Sequence, residues 1–295
     1  MPSPRLSIII PTYNQADFLP TALDSISAQT FCDWEAIVVN NFSEDGTITV
    51  VESYSDPRIR LVNFANQGII AAARNHGLSL TQAPFVAFLD SDDFWYPEKL
   101  QRCLAKLADG YDLVCHAEVW VGPGERRRTV RYGPEARATY QNLLLDGNCI
   151  STSAVVVRRE CLERAGTFSA QPEFITAEDY ELWLKLARDG ARFGFIDEVL
   201  GEYLIHEGNQ TRATLRNMQA VMAVFEHHRT AVDSSTSVRR LRRREAVILY
   251  SGGRGLQDGG QHWQAWYYFF KAVIRYPWIL RFYIAMVLNA FGRRP

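Results

Sequence analysis

The chain has 295 residues, 47% hydrophobic and 22% charged, enough apolar material for one large domain or two ordinary ones. This composition excludes intrinsic disorder, collagen-like repeats and a disulfide-stapled miniprotein. The 32 basic and 33 acidic groups nearly cancel, yet residues 1–211 hold 18 basic and 29 acidic groups and residues 212–295 hold 14 and 4, which assigns the two ends different partners.

The first 110 residues alternate short β-branched runs with amphipathic stretches. Leu6–Ile10, Glu35–Val39, Ile59–Val62 and Phe85–Leu89 read as buried strands. Between them, Phe18, Leu19, Ala22, Leu23 and Ile26 share one helical face, and further helices are expected over 45–54, 68–80 and 97–108. Strands alternating with helices imply βαβ units and a sheet covered on both faces. From about 111 the rhythm changes. Leu113–Val121, Ser153–Arg158, Arg192–Ile196 and Val199–Ile205 read as strands, Thr139–Leu145 and Glu178–Asp189 as helices. Helical stretches follow near 214–231, 237–251 and 261–275, then the apolar run Pro277–Phe291, with a domain change near 210.

Five scattered cysteines, none spaced Cys-x-x-Cys, argue for a reducing compartment and against a zinc site. Leu6–Ile10 is too short for a signal peptide, and no 18-residue apolar stretch is present, Pro277–Phe291 being broken by Arg281. A cytoplasmic protein is expected.

Ligands of such sheets bind beyond the carboxyl ends of the strands. There stand Pro11-Thr12-Tyr13-Asn14, Asn40–Thr47 and Asp90-Ser91-Asp92-Asp93, with Asn66-Gln67-Gly68 leading into a helix that carries Arg74-Asn75. Three carboxylates within four residues repel one another without a counter-charge, and Mg2+ or Mn2+ is the natural one, held by one or two carboxylates plus substrate phosphates. A turn whose aspartates cap the helix near Pro97 explains the same residues. Glu178-Asp179 opens a helix: a capping box with Thr176 accounts for it structurally, a general base accounts for it chemically. His206 follows the last strand, where a plain loop histidine is equally at home. No Gly-x-Gly-x-x-Gly or P-loop pattern follows the first strand, which disfavours dinucleotide-binding and P-loop enzymes.

Taken in order, Ser7–Asn14, Asn40–Thr47, Ala73-Arg74-Asn75-His76-Gly77, Phe88–Trp95 and Glu178–Leu184 resemble the inverting family 2 glycosyltransferases of the GT-A fold, in the type that builds bacterial cell-surface polysaccharides. The similarity covers about residues 5–211. It implies an α/β mixed sheet flanked by helices, with residues 1–110 as the nucleotide-binding half, 111–211 as the acceptor-binding half, and 212–295 as a basic, aromatic-rich helical extension. It also implies an enzyme that passes a sugar from a nucleotide diphosphate, UDP above all, to a hydroxyl of a glycan or lipid-linked acceptor. By resemblance, Asp92 holds Mn2+ or Mg2+, Asp90 contacts the ribose or shares the metal, and His206 touches the metal or the diphosphate. Pro11, Thr12, Tyr13, Asn41 and Ser91 line the nucleotide site, with Tyr13 placed to stack on the base, and Arg74 lies near the phosphates. Asp179 is the implied general base, with Glu178 beside it as an orienting group.

Two positions depart from the family pattern. Asn40-Asn41-Phe42-Ser43 stands where Asp-Asp-Gly-Ser is common, although an Asn side-chain oxygen still accepts from a uracil N–H. Leu204 stands where an Arg is frequent. Two rivals remain open: a sugar nucleotidyltransferase, which would show a Gly-rich basic loop after the first strand, and a non-catalytic sugar-nucleotide or glycan-binding module. In the C-terminal part, Arg239–Arg244 carries five arginines in six positions. It reads either as a solvated face packed on an acidic neighbour or, with the aromatic residues 263–270 and 277–291, as an anionic-membrane surface on the inner face of the cell membrane. No nucleic-acid reading module accompanies the charge.

Overall fold

The structure, a computed structural model, describes residues 3–206, 208, 214–231 and 237–291. Their contacts define two compact units, one drawn from 1–140, 149–170 and 181–206, the other from 141–148, 171–180 and 207–295. The boundary expected at 211 falls outside the described residues. Two stretches that precede it, 141–148 and 171–180, group with the C-terminal helices.

The chain begins β1 (Leu6–Thr12), α1 (Leu19–Ser27), β2 (Trp34–Asn40), α2 (Thr47–Glu52), β3 (Ile59–Asn63), α3 (Ile70–Ser79) and β4 (Phe85–Phe88). It continues β5 (Phe94–Trp95), α4 (Lys99–Ala108), β6 (Leu113–Gly122), β7 (Arg126–Val130), α5 (Tyr140–Asp146), β8 (Val155–Arg158), α6 (Arg159–Ala165), α7 (Glu178–Arg188) and β9 (Phe193–Leu204). In the first unit the strands form one mixed sheet in the order β3-β2-β1-β4-β8-β6-β9-β5, with β7 hairpinned on β6. β3, β2, β1 and β4 are mutually parallel. β8 runs antiparallel to both β4 and β6.

Every residue of β1 is buried, as a central strand covered on both faces requires. On one face Leu6, Ile8 and Ile10 pack with Leu19, Leu23 and Ile26 of α1 and Leu100, Cys103 and Leu107 of α4. On the other face lies α3. A Cβ on its Gly77 would meet Ile9 Cγ2 at 2.7 Å and Val39 Cγ2 at 3.1 Å, so glycine sets how closely this helix rides on β1 and β2.

Local pattern and structure differ at several places. The two strands expected over 192–205 are a single β9, whose pairing with β6 slips opposite His116–Val119. Asp197 and Glu198 project into solvent there, and that polar interruption broke the apolar run in two. β7 carries three arginines and a threonine, all exposed, so no burial pattern announced it. β5, only two residues long, and α6 were likewise not anticipated.

The second unit holds α8 (Thr214–Arg229), α9 (Val238–Asp258), α10 (His262–Arg275) and α11 (Leu280–Ala290). α9 runs seven residues past its expected end, through Gly252 and Gly253. A Cβ on Gly253 would stand 2.7 Å from the Phe269 ring, and one on Gly252 would overlap Met218, so these glycines admit neighbouring helices instead of ending their own. The arginine run at the start of α9 is largely engaged within this unit. Arg240 and Arg243 approach Asp146 at 3.7 and 3.4 Å, Arg244 is buried beside Tyr180, and Arg239 Nε donates to the Tyr276 hydroxyl at 3.0 Å.

Candidate active site

From β1 the chain steps outward to β2 and β3, and then β4 returns to the opposite side of β1. Strand order therefore reverses between β1 and β4, and the crevice beyond their carboxyl ends is where such sheets bind ligands. Pro11, Thr12 and Tyr13 leave β1 there, and Asp90-Ser91-Asp92 leaves β4.

The loops around β1 and β2 are tied to each other. Asn14, in the left-handed region at φ 51°, accepts the Glu44 N–H at 2.9 Å and donates its own N–H to Ser43 Oγ. Asn40 Oδ1 accepts from both the N–H and hydroxyl of Ser43, while its Nδ2 donates to Asn63. Asn41 donates its N–H to the Thr12 carbonyl and accepts the Asn66 N–H on Oδ1, each at 3.0 Å. The oxygen expected to meet a base therefore already braces the loop before α3. Phe42 and Gln67 also have positive φ, so strained non-glycine residues gather around this crevice. Thr12 is buried with its hydroxyl unpartnered among the described residues, and Tyr13 is 52% exposed.

The acidic turn is held from three sides. Arg74, buried on α3, donates to Asp90 Oδ1 at 2.6 Å and lies over the Phe168 ring. Asp92 Oδ2 is 2.8 Å from His206 Nε2, and the His206 ring stacks on Phe18. Asp93 is fully enclosed. It accepts from Ser153 Oγ at 2.5 Å and from the Leu204 N–H at 3.1 Å, while Ser153 Oγ accepts the Asp90 N–H at 3.2 Å. Asp93 and Ser153 thus fasten the turn to the end of β9, two residues before His206. Neither was singled out from sequence: Asp93 stood inside the acidic cluster without a role, and Ser153 ends the hydroxyl run Ser151-Thr152-Ser153 at a strand start. Phe18 gave no signal beyond helical periodicity.

Burial first, then the neighbouring Asp90 charge, raises the Asp92 carboxyl above its ordinary range, against the hydrogen bond from His206. Burial, then Asp92 and Asp90, holds Asp93 well above its ordinary range. Crowded carboxylates that resist ionisation next to an imidazole suit a divalent cation, and oxygen donors with one nitrogen suit Mn2+ or Mg2+. Among the described residues no three acidic, histidine or cysteine side chains form a ready-made cage.

Behind the turn lies a second buried polar group. Lys99 Nζ donates to the Val155 carbonyl at 3.2 Å and sits 3.3 Å from the Trp95 ring centre, and burial pushes it down to about 7. Glu118 accepts the Tyr132 hydroxyl at 2.6 Å and is raised to about 7 by burial, against that bond. His116 is pushed down to about 3, by burial first and then by the Lys99 charge.

Glu178 and Asp179 belong to the second unit. Thr176, at φ 85°, donates its N–H to Glu178 Oε2 at 2.8 Å, and Asp179 Oδ1 accepts the Tyr180 N–H at 2.6 Å. Glu178 is the carboxylate that accepts the N–H of Thr176. Asp179 is half-buried.

Residues 7–166 match the profile described as Glycosyl transferase family 2. Among curated proteins, the chain is 31% identical over 210 residues to the putative teichuronic acid biosynthesis glycosyltransferase TuaG of Bacillus subtilis, covering 68% of this chain and 79% of that one. It is 32% identical over 193 residues to the UDP-Glc:alpha-D-GlcNAc-diphosphoundecaprenol beta-1,3-glucosyltransferase WfgD of Escherichia coli, covering 62% and 70%. In fold it is similar to S. aureus TarS 1-349 in complex with UDP-GlcNAc, with TM-score 0.67, 19% identity, and 98% of this chain and 92% of that one covered. It is also similar to the mannosyltransferase PcManGT of Pyrobaculum calidifontis in complex with GDP-Man and Mn2+, with TM-score 0.64, 20% identity, and 98% and 85% covered. The expected GT-A architecture is therefore the one observed.

Proposed function

The chain belongs to glycosyltransferase family 2 and is a transferase of sugars, and from that premise we propose that it moves a sugar from a UDP-linked donor, with inversion, to a hydroxyl of a glycan or lipid-linked acceptor. The observation that carries this reading is the acidic turn at the strand reversal, where Asp90 is paired with Arg74 and Asp92 with His206. The donor named for WfgD and the UDP-GlcNAc bound by TarS favour uridine, and the acceptor named for WfgD favours a lipid diphosphate. Five free cysteines fit a reducing, cytoplasmic setting.

In this reading Tyr13 stacks on the base, with Pro11, Thr12, Asn41 and Ser91 around the nucleoside. Asp92, together with Asp90 and His206, would hold Mn2+ or Mg2+, which when bound supplies Lewis-acid neutralisation of the diphosphate. Arg74 brings a fixed positive charge to the same side. Asp179 accepts the proton of the acceptor hydroxyl as its oxygen bonds to the anomeric carbon. The bond from that carbon to the diphosphate oxygen breaks, and its electron pair leaves with UDP. Glu178, bonded to the Thr176 N–H, orients the turn that presents Asp179.

Titration of UDP with and without Mn2+, run alongside a transfer assay, tests the assignment. Asp92→Ala is expected to abolish the Mn2+ dependence of binding. Asp179→Asn is expected to abolish transfer while leaving UDP binding within about twofold. Transfer near the wild-type rate in Asp179→Asn refutes the base, and an unchanged Mn2+ dependence in Asp92→Ala refutes the cation site.

A further inference from the structure

We propose that α10 and α11 form a hairpin that lies flat on an anionic lipid surface, and that this hairpin, not the Arg239–Arg244 run, is the membrane-contacting part of the chain. Among the described residues, ten of the fourteen exposed large hydrophobic side chains fall between 263 and 291. On α10 they are Trp263, Tyr267, Phe270 and Ile274, at offsets of four, seven and eleven, which is one face of a helix. Leu280, Ile284, Val287 and Phe291 repeat the same offsets along α11 and its end. Trp263 is 89% exposed, Ile274 82% and Trp278, in the connection, 78%.

The opposite faces are the buried ones. Ala265, Phe269 and Ala285 pack with Leu256 of α9, and Ala272 and Phe282 pack with Ala246 of α9. His262 and Asn289 exchange two hydrogen bonds, at 2.8 and 2.9 Å, joining the start of α10 to the end of α11. The helices are therefore antiparallel, both rest on α9, and both apolar stripes face away from it.

Charge selects the occupant. Residues 259–291 contain Lys271, Arg275 and Arg281 and no acidic residue. Arg275 is neutralised by Glu245, whereas Lys271 and Arg281 are exposed, show no ion pair among the described residues, and lie over the rings of Tyr267 and Tyr250. Aromatic and aliphatic groups edged by cations suit an interface with anionic headgroups. A second copy docked through this face would bring these cations together with no acid to pair them. At 14 and 11 residues the helices are too short to cross a bilayer, and no described helix is long and apolar enough to do so. Of the five arginines of 239–244, four are meanwhile engaged by Asp146, Tyr180 and Tyr276, and Arg242 is exposed.

The test is flotation of the full chain with vesicles of phosphatidylcholine alone and of phosphatidylcholine mixed with phosphatidylglycerol, and it does not depend on transferase activity. Wild type is expected to float with the anionic vesicles, with a blue shift of tryptophan emission. The triple variant Trp263→Ser, Trp278→Ser, Ile284→Ser changes exposed positions only and is expected to keep its circular dichroism and thermal transition while partitioning at least about tenfold less. Arg240→Gln with Arg243→Gln is expected to partition within about twofold of wild type, since those charges face Asp146. The proposal is overturned if wild type floats no better with anionic vesicles than without vesicles, or if the triple variant floats as wild type does. It is overturned equally if the arginine pair, rather than the hairpin, governs partition, or if light scattering without lipid shows a dimer that the triple variant abolishes.

Discussion

Replacing Ser153 by alanine removes a single hydroxyl from the turn that carries Asp90 and Asp92. That hydroxyl donates to Asp93 at 2.5 Å and accepts the Asp90 N–H at 3.2 Å, and Ser153 is only 2% exposed, so water cannot take its place. A neutral hydrogen bond contributes about 0.5–1.5 kcal/mol, and leaving a buried partner unsatisfied costs about 1–3 kcal/mol. Because one oxygen serves both, a loss of about 2–3 kcal/mol is expected for the pair. Urea denaturation followed by tryptophan emission reads it, since Trp95 Nε1 donates to the Ser153 carbonyl and reports on the same spot. The functional consequence is larger than a stability change alone produces. With the Asp90 N–H released and Asp93 short of a partner, the two carboxylates lose register with His206, and a displacement of about 1 Å at a reacting centre costs on the order of a hundredfold in rate. Transfer measured well below the unfolding midpoint is expected to fall by about ten- to a hundredfold, with Mn2+-dependent UDP binding weakened in parallel. A stability change under about 0.5 kcal/mol, or wild-type transfer by a folded variant, would show that Ser153 fills space and positions nothing.

Arg74→Met leaves Asp90 without its partner beside Asp92. A fully buried pair loses about 3–5 kcal/mol on such a change, but the Asp90 side chain is 28% exposed and water offsets part of it, so about 1–3 kcal/mol is expected, with at least a tenfold loss of UDP affinity by titration. Arg74→Lys keeps the charge but not the planar fork, and full recovery of affinity by lysine would refute a directional role. His116 is neutral in the fold because its value is pushed down to about 3 from 6.5, so the unfolded chain binds the extra proton first as pH falls. Its contribution is present above pH 6.5 and lost as pH falls from there towards 3. The stability difference between wild type and His116→Leu should therefore shift against wild type by up to about 1.4 kcal/mol per pH unit in that window. A gap independent of pH would place a charged histidine in the core.

The central strands and the residues at their ends were legible in the sequence for one reason. A strand buried on both faces needs a nearly continuous apolar run, and Ile8–Ile10 and Ile37–Val39 supply its β-branched centre. Asp90-Ser91-Asp92 follows such a run directly, so its place at a strand end came with the strand. The charge difference between residues 1–211 and 212–295 was also plain in the chain. What joins the turn to His206 was not, because Asp93, Ser153 and Leu204 are up to 111 residues apart and their pairing exists only once β8 and β9 enter the sheet. Arg126–Arg128 form a strand only because β6 offers an edge. In α10, periodicity alone could not tell Phe269 from Phe270. Helix α9 buries the first against Leu256 and leaves the second in solvent. The five arginines of 239–244 looked like one uniform charged face, and it took Asp146, Tyr180 and Tyr276 to divide them. Sequence determined which residue types the chain has and where its regular elements run. Tertiary packing decided which of those side chains are already satisfied and which still face outward, because satisfaction depends on partners distant along the chain.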